Sequence, residues 1–171
     1  SWAILASMTI GVYGLGRFGS FWLAAVRANT DPSIRVIATS RNPHPVPEGT
    51  EFVDEDSFLS QCDIIFFTVA ISAFESVLGH VRGRLKKDAL VMDTCSVKAY
   101  PAKWMESRLS GDEVSIVATH PMFGPDSGRN GLKGLPMVLC PVRVSQQKLE
   151  TLESVFSSWG LKVLVMSPLE H

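Results

Sequence analysis

The chain has 171 residues, 46% of them hydrophobic and 19% charged, which suits one globular domain with a sizeable core. Sixteen basic against seventeen acidic residues leave a net charge of −1, with no basic excess to neutralise nucleic acid or an anionic membrane. The three cysteines, Cys62, Cys95 and Cys140, are odd in number and lack metal-ligand spacing, so they imply reduced thiols, a cytoplasmic protein and no metal centre.

Residues 1–7 are too short, and too poor in basic residues, for a secretory signal. Met8 reads as the natural start and residues 169–171 resemble the scar of a purification tag, so the domain is expected over residues 8–168. Thr9 opens a short apolar strand that runs into Gly14-Leu15-Gly16-Arg17-Phe18-Gly19, and a helix is expected over residues 20–28. Strand, GxGxxG and helix in that order form the dinucleotide-binding fingerprint. Gly14 permits the turn, Gly16 lets backbone approach a pyrophosphate, and Gly19 lets helix and strand pack closely. The helix N-terminus adds unpaired N–H groups and a partial positive charge.

Residues 34–39 read as the second strand, and the proline-rich stretch 41–49 as an irregular loop. A short strand and a short helix fill residues 51–60. The unbroken apolar run 63–69 fits a central parallel strand covered on both faces; no run is long enough for a membrane span. A helix is expected over 72–85 with Phe74, Val77, Leu78 and Val81 inward, a strand over 89–93, and a helix over 98–109. A strand over 114–119 leads into His120 and a glycine-rich loop. A short strand over 137–140, a helix over 145–159 and a strand over 162–166 complete the chain. Strands alternating with helices imply a doubly wound, mostly parallel sheet of the Rossmann type, with ligands at the carboxyl ends of the strands. The GxGxxG, Ser40-Arg41, the 93–98 stretch and His120 all fall at those ends, which predicts a single site.

Units that bind NAD carry an acid at the end of the second strand, where it accepts hydrogen bonds from the ribose. Here Ser40 and Arg41 occupy that place. A hydroxyl and a guanidinium suit a 2′-phosphate, so NADP is favoured, with NAD possible. The bland alternative makes Arg41 a solvated loop residue, and His44 either lines the same pocket or belongs to the loop. Val69 and Ala70, following the central strand, are also placed beside the cofactor. Among the histidines, His80 lies on a helix facing solvent, whereas His120 ends a buried strand, where a neutral imidazole suits a base near pH 7.

Asp93-Thr-Cys-Ser-Val-Lys98 followed by His120-Pro-Met-Phe-Gly-Pro-Asp-Ser-Gly128 resembles the prephenate/arogenate dehydrogenase family of tyrosine biosynthesis, over residues 8–166. The resemblance implies an oxidative decarboxylation of a small molecule, prephenate or arogenate. His120 matches the histidine that hydrogen-bonds the substrate's ring hydroxyl. Ser96 matches the serine that holds that hydroxyl and the nicotinamide in register; its alternative role is a helix N-cap. Asp93 is expected to fix the turn, and Lys98 to be a first-turn surface residue. Asp126 falls where relatives carry an acid near the substrate entrance. Arg129 and Lys133 either attract an anionic substrate or are solvated loop charges. Ala70 stands where relatives often have proline, and Cys95 where alanine is common. Relatives continue into a helical domain that dimerises and clamps the substrate's carboxylates; that domain is not expected within these residues, and a homodimer is expected only with it. Two other readings stay open: a different hydroxyacid-type dehydrogenase, and a non-catalytic NADP-binding module.

Overall fold

A computed structural model describes residues 5–171, so residues 1–4 of the expected leader lie outside the described residues. Among the described residues, eight strands form one sheet in the order β3-β2-β1-β4-β5-β6-β7-β8. They are β1 (Thr9–Tyr13), β2 (Arg35–Thr39), β3 (Glu51–Phe52), β4 (Ile64–Phe67), β5 (Leu90–Asp93), β6 (Ser115–Pro121), β7 (Pro136–Arg143) and β8 (Lys162–Val165). The helices among the described residues are α1 (Arg17–Asn29), α2 (Glu55–Gln61), α3 (Ile71–Val81), α4 (Ala99–Arg108) and α5 (Gln146–Ser158).

Alternation along the strands sorts the apolar residues into two cores, one on each face of the sheet. Ile10, Val12, Ile64, Phe66, Leu90 and Met92 face α1 and α5, which contribute Trp22, Val26, Leu152 and Phe156. Ile65, Phe67, Val91 and Ile116 face α2, α3 and α4, which contribute Phe58, Phe74, Leu78 and Met105. Runs such as 64–67 are therefore apolar at every position because both faces are covered. Leu5 is 3% exposed and joins the first core, so the end of the expected leader packs with the domain.

The pairs β1–β2, β1–β4, β4–β5 and β5–β6 are parallel, as alternating strands and helices require. The β6–β7 pair is antiparallel, because the loop joining them holds no crossover helix to turn the chain back. β7 is also longer than the expected 137–140, and it carries Pro141 where the register shifts opposite Ile116 and Val117. A proline without an N–H is tolerated at such an irregularity. Pairing with β7 extends β6 through His120 and Pro121, so His120 lies within a strand rather than just past its end.

Candidate active site

The strand order reverses direction between β1 and β4, and the chain leaves these strands on opposite sides of a crevice. A cleft of about 1040 Å³ opens there, lined by the Gly14–Gly16 turn, the Ser40–His44 loop and the Thr68–Ala70 turn. A smaller apolar cavity of about 390 Å³, bordered by Ile10, Ile64, Leu90 and Leu152, lies under the amino ends of the strands, away from these loops.

The three glycines of the turn differ in what they do. Gly14 holds φ +111°, a region side chains rarely adopt, and its N–H donates to the Thr39 carbonyl at 2.9 Å. The Thr68 hydroxyl donates to the Gly14 carbonyl at 2.6 Å, which ties the glycine turn to the end of β4. Gly19 sits under that carbonyl: a Cβ added to it would lie 2.0 Å from the Gly14 oxygen. Gly16 holds φ −72° and is the N-cap of α1 with no side-chain cap, and nothing lies within 4 Å of where its Cβ would be. A pyrophosphate fits this cradle, where open helix N–H groups and a missing side chain leave room for an anion. Gly16→Ala is therefore expected to leave the melting temperature unchanged while lowering dinucleotide affinity by about tenfold or more. A thermal melt and a binding titration on one preparation check both halves of that statement.

The remaining candidates divide into those that line the cleft and those that do not. Leu15, Ser40, Arg41, Val69 and Ala70 line it. Ala70 holds φ −59°, the value a proline ring imposes, so either residue suits the start of α3. Phe18 turns away into an aromatic cluster, 5.8 Å from Phe21 and 6.1 Å from Trp22. Arg17 pairs with Asp126 at 2.9 Å across an exposed surface, which links the glycine turn to the loop after His120. Phe123 of the same loop packs on Phe21 and Trp22 of α1.

Several cleft residues escape a linear reading. Tyr13, Asp54, Glu55, Ser76, Val77 and His80 also line the cleft. The Tyr13 hydroxyl donates to Glu55, whose carboxylate also meets Arg84 at 2.8 Å and His80 at 2.9 Å. Burial works against the charge on Glu55, but the hydrogen bonds from Tyr13, Arg84 and His80 outweigh it and hold the carboxyl below its ordinary range. Burial and that same bond push the Tyr13 phenol far above its ordinary range. Asp54 caps α2, accepting the Ser57 N–H at 2.8 Å. Both acids lining the cleft are thus committed to protein partners.

The second half of the site gathers at the ends of β5 and β6. Ser96 is exposed in the turn between β5 and α4. It is not the N-cap of α4; that position falls to Lys98, with no side-chain cap bond. Lys98 is not a surface residue either. It and Asp93 form an ion pair whose side chains are both 0% exposed. Nζ of Lys98 also donates to the Thr119 carbonyl. Asp93 accepts N–H bonds from Cys95 at 3.1 Å and Thr119 at 3.0 Å, and its own carbonyl accepts the Thr119 hydroxyl. Burial pushes the Asp93 carboxyl up while the Lys98 ammonium pulls against it.

His120 follows Thr119 directly and is half-buried. Its Nδ1 lies 2.7 Å from Nε2 of His171. Burial first, then the His171 and Lys98 charges, lower the His120 imidazole to about 4, so it is neutral throughout the physiological range. A neutral half-buried imidazole at a strand end is equipped to accept a proton. Among the described residues, no group of three or more His, Cys, Asp or Glu side chains is placed to hold a metal, and no helix is long and apolar enough to cross a membrane.

This fold and site define a Rossmann-type nucleotide-binding domain. Residues 29–165 match the family described as "Prephenate dehydrogenase, nucleotide-binding domain", and the chain belongs to that family. The chain is 30% identical over 174 residues to arogenate dehydrogenase 2, chloroplastic, of Arabidopsis thaliana, covering 97% of this chain and 48% of that protein. The crystal structure of Synechocystis arogenate dehydrogenase superposes with a TM-score of 0.78 at 26% identity, over 96% of this chain and 61% of that one. Prephenate dehydrogenase from A. aeolicus, in complex with hydroxyphenyl propionate and NAD+, shares the fold with a TM-score of 0.74 at 19% identity, over 96% and 61% of the two chains. The chain thus spans about half the length of the Arabidopsis relative.

Proposed function

We propose that this chain is the dinucleotide-binding and proton-managing half of a prephenate or arogenate dehydrogenase, and that it prefers NADP. The observation that carries the reading is the joining of two motifs: the Asp93 network ties the turn bearing Ser96 to the strand bearing His120. The cleft between Gly16 and Arg41 suits a dinucleotide, whose nicotinamide ring supplies a hydride acceptor when bound. His120 takes the hydroxyl proton as the carbon bearing that hydroxyl gives up its C–H electron pair. The ring carboxylate then leaves as CO2, its electron pair enters the ring, and His120 returns the proton to what becomes a phenol. Ser96 holds the same hydroxyl in register. Aromatisation drives the step, which leaves orientation and proton management to the protein. The carboxylate clamp and the dimer contacts are assigned to the family's helical domain, beyond the residues described.

NADP preference rests on the absence of an acid after β2 and on the commitment of Asp54 and Glu55 to protein partners. The Ser40 hydroxyl donates to the Asn42 carbonyl at 2.6 Å, which shapes the loop that presents Arg41. Arg41→Ala is expected to weaken NADP+ binding by about ten- to a hundredfold, the worth of a charge-assisted hydrogen bond, and to leave NAD+ binding unchanged. Equal losses for both dinucleotides in a calorimetric titration would refute the assignment of Arg41.

The reaction itself is tested by following reduced nicotinamide in this chain offered prephenate or arogenate with NADP+ or NAD+. Turnover with one pair identifies substrate and cofactor together. NADP+ binding without turnover makes the chain a cofactor half-site that needs its helical domain. Failure to bind either dinucleotide rejects the reading.

A further inference from the structure

A lysine buried to 0% exposure is costly unless its charge is used, and Lys98 is placed where it touches both halves of the catalytic end of the sheet. Its ammonium meets Asp93 at the end of β5 and the backbone carbonyl of Thr119, the residue before His120. Asp93 in turn receives the Cys95 N–H, one residue before Ser96, and the Thr119 N–H. One buried ion pair therefore sets the spacing between the turn that carries Ser96 and the strand that carries His120. The β5–β6 ladder ends at the Met92–Val117 pair, so beyond that point this side-chain network takes over from backbone pairing.

We propose that Lys98 is a positioning residue for catalysis: its buried ammonium locks the Ser96 turn to the His120 strand and keeps a positive charge on the backbone carbonyl next to His120. The role goes beyond holding the fold, because a neutral pair of the same shape would fill the space without the charge. The groups that bear on His120 are few. Lys98, paired with Asp93, holds the carbonyl of Thr119, the residue before it, and His171 lies against its Nδ1. On the β7 side the paired residue is Val138, which does not titrate. The thiols of Cys95 and Cys140, pushed up by burial to about 12 and about 11, are neutral. The Lys98 cation favours the neutral imidazole that accepts a proton, so the proposal rests on the reading of His120 given above.

The test is chosen so that this proposal and that reading fail separately. Ring titration of His120 is followed by nuclear magnetic resonance in the whole chain, in a His171→Asn background that removes the neighbouring imidazole. Lys98→Met is expected to raise the midpoint of the His120 titration by about half a pH unit or more. It is also expected to speed exchange of the Thr119 amide by about tenfold or more. If Lys98→Met does not fold, Asp93→Asn with Lys98→Met removes both charges together and leaves neither unpaired. Loss of the anion opposes loss of the cation, so a smaller upward movement of the midpoint is expected there, together with the faster Thr119 exchange. Lys98→Arg, which keeps the charge, is expected to hold the midpoint near that of the unsubstituted lysine. A His120 midpoint that stays put in a folded Lys98→Met variant, or a Thr119 exchange rate that stays put in the double variant, overturns the proposal, whatever the activity. In the active enzyme, Lys98→Met should lower kcat and leave the KM for the dinucleotide unchanged. Loss of activity in Lys98→Met alone, without movement of the His120 midpoint, would make Lys98 structural only.

Discussion

His120→Asn is expected to lower kcat of the active enzyme by about a hundred- to ten-thousandfold, the usual worth of a positioned acid or base, and to leave dinucleotide affinity within about twofold. The asparagine amide occupies similar space and still hydrogen-bonds a hydroxyl, but it accepts no proton near neutral pH. The two effects separate because of where His120 sits. It lies in β6, which is separated from β1 in the sheet order by β4 and β5, whereas the cleft is built from turns after β1, β2 and β4. A parallel fall in affinity and turnover would count against the assignment and would place the histidine in the cofactor site. The pH dependence carries a sign. His120 is lowered to about 4 in the folded chain, below the ordinary value of 6.5, so its basic form is present from neutral pH down to about that value. The same depression means the folded state resists protonation there. The stability tied to this group is fully present above the unfolded value and is lost as pH falls from there towards the folded one.

Gly19→Ala is the second large effect, and it is expected on stability as well as on binding. The new methyl would lie 2.0 Å from the Gly14 carbonyl oxygen and 2.7 Å from the Thr68 hydroxyl. Neither neighbour is free to give way. The Gly14 oxygen is held by the Thr68 hydroxyl, and the Gly14 N–H by the Thr39 carbonyl, so the whole turn must shift off β2 and β4. Overpacking of this kind costs about 1–3 kcal/mol, which for a chain of this size lowers the melting temperature by roughly 3–10 °C. Dinucleotide binding is expected to fall with it, since the displaced turn is the one proposed to approach the phosphates. The comparison with Gly16→Ala is the informative part. If both variants melt like the parent chain, the close packing of α1 against β1 is not what Gly19 provides. If only Gly19→Ala is destabilised while both lose affinity, one glycine serves the fold and the other the ligand.

Much of this site is legible in linear order because its parts are local. A GxGxxG between an apolar strand and a helical stripe needs nothing distant to be recognised, since the turn, the close packing and the helix N-terminus are properties of adjacent residues. The Ser40-Arg41 pair after β2 is legible for the same reason, and His120 is legible through the motif around it. Element boundaries follow the apolar pattern closely wherever a strand is covered on both faces.

What linear order does not carry is pairing across the sheet. Lys98 reads as a solvated first-turn residue because its charge has no local partner at helical spacing; Thr119, twenty-one positions away, completes its burial. Glu55 gains Tyr13, His80 and Arg84 only when β1, α2 and α3 come together. The antiparallel β7, which draws His120 into a strand, depends on a loop that returns the chain without a helix. The sequence by itself determined the nucleotide-binding fold of this chain, because backbone conformation and apolar periodicity are local physics. The tertiary structure alone decided which charges are buried and paired, because the free energy of a charge depends on neighbours that only folding supplies.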